Sequence, residues 1–249
     1  MTKDAAIALV TGANKGIGRA IAQRLAGLGM TVLLGSRDPD RGQEAAAALR
    51  EAGGDVHPLI LDVTDPAGIR AAAGQVASRF GRLDVLVNNA GIPGTEGGRQ
   101  APGAVSVDTV RAVFETNFFG VIMVTEALLP LLRRSPAARI VNVSSGTGSL
   151  HHMTDPAHYM SKLPGRAAYP VSKTALNALT VQYAKALAPD RIPVNAVAPG
   201  ACATDFTKGL PYRLTRTAAE GAEIAVRLAT IGPDGPTGGF FDDNGPVPW

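Results

Sequence analysis

In AIALVTGANKGIGRAIAQRLAGLG, residues 6–29, a short apolar run gives way through three glycines to a segment of helical composition. The run Ala6 to Val10 has no polar interruption, as expected of a strand buried on both faces. From Gly18 onward Ala, Leu, Gln and Arg dominate, and these are good helix formers. Gly12, Gly16 and Gly18 crowd the junction. Glycines there permit a tight turn and let a pyrophosphate approach the backbone, while the free N–H groups of a helix start attract the anion. A glycine trio alone describes a plain strand-to-helix turn equally well. Its place after the first strand of an alternating pattern is what points to nucleotide binding.

The alternation continues along the chain. Strand-like runs recur as TVLLGS (31–36), VHPLIL (56–61), DVLVNN (84–89), RIVNVS (139–144), IPVNAVA (192–198) and GGFFD (238–242). Helical segments separate them, the longest near 106–134 and 169–187. Apolar strands alternating with helices predict a Rossmann-type, doubly wound parallel α/β sheet of about seven strands, with helices on both faces. No linker, repeat or low-complexity tract divides the 249 residues, so one domain, 1–249, is expected.

The formal charge of +3 comes from 24 cations against 21 anions, and they are scattered. The densest basic group, Arg133, Arg134 and Arg139, reads as a solvated surface rather than a nucleic-acid face. The single cysteine, Cys202, excludes an internal disulfide, and with no histidine near it in sequence it reads as a small buried group. The first strand follows the N-terminus without a signal-like segment, and no apolar run approaches the roughly 20 residues that cross a bilayer. A cytoplasmic protein with no membrane or nucleic-acid partner is the expectation.

The glycine spacing is T-G-x-x-x-G-x-G. Together with NNAG (88–91), NVSS (142–145), YPVSK (169–173) and APG (198–200), in that order, it resembles the short-chain dehydrogenase/reductase family over nearly the whole chain, with a pattern closest to NADPH-dependent carbonyl reductases. The resemblance implies a nicotinamide cofactor. It assigns Gly12, Asn14, Lys15, Gly16, Ile17 and Gly18 to the cofactor turn, Asp62 and Val63 to the adenine border, and Asn89, Ala90 and Gly91 to the wall near the adenosine ribose. Pro199, Gly200 and Thr204 match the family segment that closes over the nicotinamide and pyrophosphate.

Cofactor choice turns on the end of the second strand. An acid there suits ribose hydroxyls, but here Ser36 and Arg37 occupy the place, and an arginine attracts the 2′-phosphate of NADP. Lys15 offers a second cation, whereas Asp38, one position further, keeps an acid in reach. NADP(H) is the expected cofactor.

AHYMSKLPGRAAYPVSK (157–173) offers two tyrosine–lysine pairs. Reduction of a carbonyl needs a proton donor at the new alkoxide, and a lysine ammonium lowers a nearby tyrosine's pKa. Tyr169 and Lys173 have the i,i+4 spacing of one helix face, with Pro170 tolerated in the first turn. Tyr159 and Lys162 are three apart, and Pro164-Gly165 soon breaks the chain. Tyr169 is therefore expected to be the catalytic acid, matching the family's Y-x-x-x-K motif, with Lys173 tuning it and holding the cofactor ribose. The family's catalytic serine matches Ser145, although Ser144 is not separated from it by strand alternation. Asn117 matches the family asparagine that holds a water near the lysine in a proton relay; without the resemblance it reads as a satisfied helix polar group.

The stretch between Ser145 and Tyr169 is longer than usual for the family and is read as an inserted loop facing substrate. Its His151, His152, Asp155 and His158 fit no known metal framework, and no metal is expected. Loops 93–106, 146–167 and 201–217 should form the substrate pocket, where Met153, Phe206, Leu210 and Tyr212 incline toward an apolar or mixed substrate. The same insertion leads into the helix of Tyr169 and would cover helix surface used for assembly, so a monomer is expected, with dimers or tetramers as alternatives. The function expected is NADPH-dependent hydride transfer between the nicotinamide and a ketone, aldehyde or secondary alcohol. A catalytically idle NADP-sensing regulator and a dehydratase or epimerase are the rival readings.

Overall fold

A computed structural model describes residues 5–94, 100–208, 213–232 and 234–249; Leu210 and Tyr212, expected at the pocket, lie outside the described residues. The first half alternates strictly: β1 (Ile7–Val10), α1 (Gly16–Gly27), β2 (Thr31–Ser36), α2 (Pro39–Glu51), β3 (Val56–Ile60), α3 (Pro66–Phe80) and β4 (Val85–Asn88). Next come α4 (Val107–Phe114), a π-helical turn (Glu115–Phe119), α5 (Gly120–Leu132) and β5 (Arg139–Val143). The remainder holds α6 (Leu150–Thr154), α7 (Tyr169–Ala186), β6 (Val194–Val197), α8 (Ala218–Ala229), β7 (Phe240–Asp242) and β8 (Gly245–Pro246).

The strands form one sheet in the order β3-β2-β1-β4-β5-β6-β7-β8. β1 to β7 are parallel, in registers such as Val10 opposite Leu34 and Val87. The chain winds outward from β1 in one direction and from β4 in the other, so the order reverses between these two strands. In open α/β sheets, ligands bind beyond the strand carboxyl ends at such a reversal. Side chains alternate across the sheet: Ala8 and Val10 pack with residues of α1, α2 and α8, while Ile7 and Leu9 pack with residues of α3, α5 and α7. Burying one such leucine stabilises the fold by about 1.5–3 kcal/mol. Two helix starts are specified locally, since Asp38 and Asp65 accept from backbone N–H groups of α2 and α3, each just ahead of a proline.

Among the described residues the sheet has eight strands, one more than the roughly seven expected. β8 is a two-residue antiparallel partner of β7, pairing Phe241 with Pro246 and Asp242 with Gly245. Its shortness and its Gly-Pro composition hide it from apolar patterning; the two-residue turn that joins it to β7 is Asp243-Asn244. The expectation that no run is long and apolar enough for a bilayer also needs correction. Val107–Leu132 is a continuous 26-residue helical run that meets that test by length and composition. Here it is a core helix, with Val113, Val124, Leu128 and Leu132 all buried. The basic trio is spent internally: Arg133 pairs with Asp190 at 2.9 Å, Arg134 donates to the Gly81 carbonyl, and Arg139 donates to that of Ala229.

Candidate active site

The glycine turn is held against β4 by hydrogen bonds from both of its edges. Thr11 Oγ1 accepts from the N–H groups of Asn89 and Ala90, each at 2.9 Å, and Asn89 Nδ2 donates to the carbonyls of Thr11 and Gly12. A β-carbon on Gly18 would stand 2.4 Å from Asn89 Nδ2 and 2.6 Å from the Gly12 carbonyl, so only glycine fits. Gly12 and Gly16 have φ of 62° and 56°, conformations that glycine adopts without strain. No acidic residue lies in the first turn of α1, and Lys15 at its N-cap makes no side-chain cap, leaving the turn's N–H groups and dipole for an anion. These features fit a dinucleotide pyrophosphate. Asn14 is partly buried in the turn, while Ile17 packs toward the core.

At the end of β2, Arg37 is exposed and, among the described residues, makes no ion pair or hydrogen bond. Asp38 is withdrawn: its carboxylate accepts from the Arg41 N–H at 3.1 Å and pairs with the Arg41 guanidinium at 3.3 Å. Lys15 is not a free cation, because its Nζ bonds Asp205 at 3.0 Å, and Lys208 reaches the same carboxylate. The two lysines hold the Asp205 carboxyl near a pKa of about 2. Asp62 turns one oxygen onto the N–H and hydroxyl of Thr64, and Val63 is buried beneath Gly120. Gly91 lies beside both the Asn117 amide and Lys173 Nζ. Beyond β6, Gly200 takes φ 74°, Pro199 accepts from the Arg216 guanidinium at 2.8 Å, and Thr204 rests on Gly16.

Tyr169 and Lys173 share a face at the start of α7, with Pro170 in its first turn. Ser145, from the end of β5, lies near enough to the Tyr169 side chain to lower its pKa, while its Oγ meets the Thr147 hydroxyl at 3.0 Å. Ser144 is 2% exposed and donates to Asn177 Oδ1 at 2.6 Å, so the fold turns this serine into the interior and leaves Ser145 at the cleft. Tyr159 is 64% exposed on a 3-10 turn, its ring against His158.

The expected lowering of the Tyr169 pKa is not what the chain alone produces. Burial pushes Tyr169 up to about 12, against a smaller lowering by Ser145. Burial also brings Lys173 down to about 8. Its Nζ donates to the Val143 carbonyl at 2.8 Å and stands 5.7 Å from the Tyr169 ring centroid.

Asn117, 1% exposed, lies in the π-helical turn, and its side chain is fully engaged. Its Oδ1 accepts from the Ile92 N–H at 2.8 Å, and its Nδ2 donates to the Ile92 carbonyl and to Ser172 Oγ. Sequence reasoning missed Gln100. The N-cap of α7, Ala168, offers no side-chain bond; Gln100 Oε1 accepts from the Tyr169 N–H at 3.3 Å and its carbonyl from the Ala167 N–H at 2.8 Å. A glutamine 69 positions away in sequence carries no local signal for this role. Also missed was the buried ladder Thr125–Asn88–Asn142–Thr180, which ties β4 and β5 to α5 and α7.

The insertion is partly helical. α6 is fastened to the C-terminal segment, with Ser149 Oγ donating to the Pro248 carbonyl at 2.6 Å and the His151 N–H to that of Trp249 at 2.9 Å. Trp249 in turn stacks on Phe240, centroids 5.6 Å apart. His152 and His158 stack at 3.9 Å, and among the described residues no group of His, Cys, Asp or Glu is arranged to hold a metal ion.

Nucleotide-type turn, switch-point cleft and a Ser–Tyr–Lys cluster lie together in an arrangement that suits nicotinamide-dependent oxidoreduction. The short chain dehydrogenase family model matches residues 6–213, and the chain belongs to that family. It transfers a hydride between a nicotinamide cofactor and a carbonyl or alcohol substrate. It is 39% identical to the short-chain dehydrogenase anuI of Penicillium roqueforti (strain FM164), covering 91% of this chain and 89% of that one. It is 32% identical to a (+)-neomenthol dehydrogenase of Capsicum annuum, covering 94% of each. An NADPH-bound carbonyl reductase from chicken fatty liver superposes with a TM-score of 0.84 at 29% identity, covering 98% and 99% of the two chains.

Proposed function

We propose that this chain is an NADPH-dependent carbonyl reductase acting on small ketones or aldehydes, and on the matching secondary alcohols in reverse. The observation that carries NADP is at the end of β2: Arg37 is exposed and, among the described residues, unengaged, while the nearest acid, Asp38, is spent capping α2. A guanidinium so placed would bind the 2′-phosphate, and no carboxylate there competes for ribose hydroxyls. The likeness to an NADPH-bound carbonyl reductase supports the same choice. Gly12, Asn14, Gly16, Ile17, Gly18, Asp62, Val63, Asn89, Ala90, Gly91, Pro199, Gly200 and Thr204 complete the cofactor site in this reading. Lys15 would join it by giving up Asp205.

Bound there, the reduced nicotinamide supplies the hydride. Ser145 and Tyr169 receive the substrate oxygen by hydrogen bonds, strongest as charge develops on it. With its pKa at about 12, Tyr169 enters the reaction protonated, the state that reduction requires of a donor. Lys173 holds the ribose and favours transient phenolate. Asn117 fixes the Ile92 backbone and Ser172 beside the lysine, where the relay water would be held.

The partner is a small molecule, without nucleic acid or membrane, and the compartment the cytoplasm. For assembly, we retain the monomer. Val107 and Phe119 are exposed on the 107–132 helical run, which also exposes charged Arg111, Glu115 and Glu126, and Val171 is exposed on α7. A panel of ketones, aldehydes and alcohols assayed with NADPH, NADH and their oxidised forms tests the reading. Carbonyl-dependent NADPH oxidation is expected; binding without turnover would favour a regulator, and conversion without net cofactor use a dehydratase or epimerase.

A further inference from the structure

Resting on the reductase reading above, we infer that Phe206 is a specificity-determining residue of this site. Its ring walls the substrate pocket and selects carbonyl compounds bearing an apolar ring next to the carbonyl. Phe206 lies in the 3-10 turn Asp205–Thr207, and its ring meets that of Tyr169 at a centroid distance of 5.4 Å and an angle of 62°. This edge-on geometry is the favourable one for aromatic pairs. Phe206 is nevertheless 38% exposed, so part of its ring is left open beside the tyrosine.

The turn that carries the ring is held in place. Thr207 Oγ1 donates to the Cys202 carbonyl at 2.6 Å and accepts from the Thr204 N–H at 3.2 Å. Asp205, the neighbouring residue, is bonded to Lys15 of the glycine turn at 3.0 Å, and Thr204 rests on Gly16. A substrate whose carbonyl oxygen reaches Tyr169 and Ser145 must therefore pass one substituent along a fixed aromatic surface. On the serine side, the Met160 methyl packs on Gly146, where it would stand 2.3 Å from an added β-carbon. The tyrosine side thus carries the aromatic surface, while on the serine side Met160 is joined by the Thr147 hydroxyl, 3.0 Å from Ser145 Oγ. Lys15 and Lys208 share the single Asp205 carboxylate and leave one positive charge in excess, and Arg213 lines the same pocket, so charge does not turn a carboxylate substrate away and the selection rests on the aromatic surface.

The test compares acetophenone, cyclohexanone, butane-2,3-dione and pyruvate with NADPH, for the unmodified protein, Phe206→Ala and Phe206→Leu. The unmodified protein should prefer acetophenone and cyclohexanone to pyruvate. Phe206→Ala should raise KM for acetophenone by about 10- to 100-fold. Butane-2,3-dione turnover and NADPH affinity by fluorescence titration should change little, the latter showing that the variant is folded. Phe206→Leu, keeping apolar volume, should recover part of the loss. An equal fall in kcat for every carbonyl would overturn the inference, because Phe206 would then act through Tyr169. So would pyruvate as the preferred substrate, or an unchanged acetophenone KM in Phe206→Ala. If the unmodified protein binds NADPH but reduces none of the four, the reductase reading itself fails and the role of Phe206 falls with it.

Discussion

Lys173 Nζ lies 5.7 Å from the ring centroid of Tyr169, yet the hydrogen bond it donates goes to the Val143 carbonyl at 2.8 Å. The lysine is anchored from behind to the strand that also delivers Ser145. In the protein alone, burial governs the Tyr169 pKa, and Ser145 is a smaller, lowering influence. The i,i+4 spacing sets the pair on one face but does not by itself set the phenol's pKa.

Tyr169→Phe should lower carbonyl reduction by about 10²- to 10⁴-fold, as expected for loss of a positioned acid. NADPH affinity should hardly change. Tyr159→Phe should retain most activity, since Tyr159 is 64% exposed on the insertion. Steady-state rates for the two variants decide this, and the reverse ranking would reject the assignment.

The depressed pKa of Lys173 makes a prediction about stability. Folding lowers it from 10.5 to about 8, so between those values the unfolded chain binds more protons. The lysine's contribution is therefore present above about pH 10.5 and is lost as pH falls through about 8. Tyr169, raised from 10.0 to about 12, acts in the opposite sense above pH 10.0, which bounds the useful window. Between pH 8 and 10, the Tm of the unmodified protein should rise relative to that of Lys173→Met. A difference that stays flat over this interval would contradict the assignment.

NADPH should outcompete NADH, and Arg37→Ser should weaken NADPH selectively. Loss of a charge-assisted hydrogen bond costs about 1.5–3 kcal/mol, or about 10- to 150-fold in Kd. Fluorescence titration of both cofactors measures it; equal affinities in the unmodified protein would overturn the choice.

Gln100→Ala should destabilise the fold by about 1–3 kcal/mol in urea unfolding, because it strands buried hydrogen-bonding groups. Gln100 Nε2 donates to the carbonyls of Pro93 and Gly94, and Oε1 accepts from the Tyr169 N–H. Because α7 starts at that N–H, kcat should fall more than KM rises. Full activity at unchanged stability would show that Gln100 positions nothing.

Light scattering at micromolar concentration should return a mass near 25.6 kDa. A mass four times larger would mean that the long helices assemble in spite of the insertion.

Much of the architecture was legible in sequence order. Period and composition located β1 to β7 to within a residue or two, and the glycine spacing marked the turn at β1. These are local signals, arising from strand alternation, helix propensity and the steric freedom of glycine. β8 escaped because two residues carry no period. Tyr169 was separable from Tyr159 because helical spacing is also local. The choice between Ser144 and Ser145, by contrast, depends on Asn177, 33 positions away from Ser144, which draws that serine inward. Asp38 left the cofactor question when the first turn of α2 claimed its carboxylate, and Lys15 met Asp205 across 190 positions. Gln100 reached Tyr169 in the same way. Hydrogen bonds and ion pairs form between groups brought together by the packing of distant elements, and a buried polar group takes whichever partner the fold places within about 3 Å. Spacing along the chain names the candidates for chemistry, while three-dimensional packing determines which of them are already engaged and which still face the cleft.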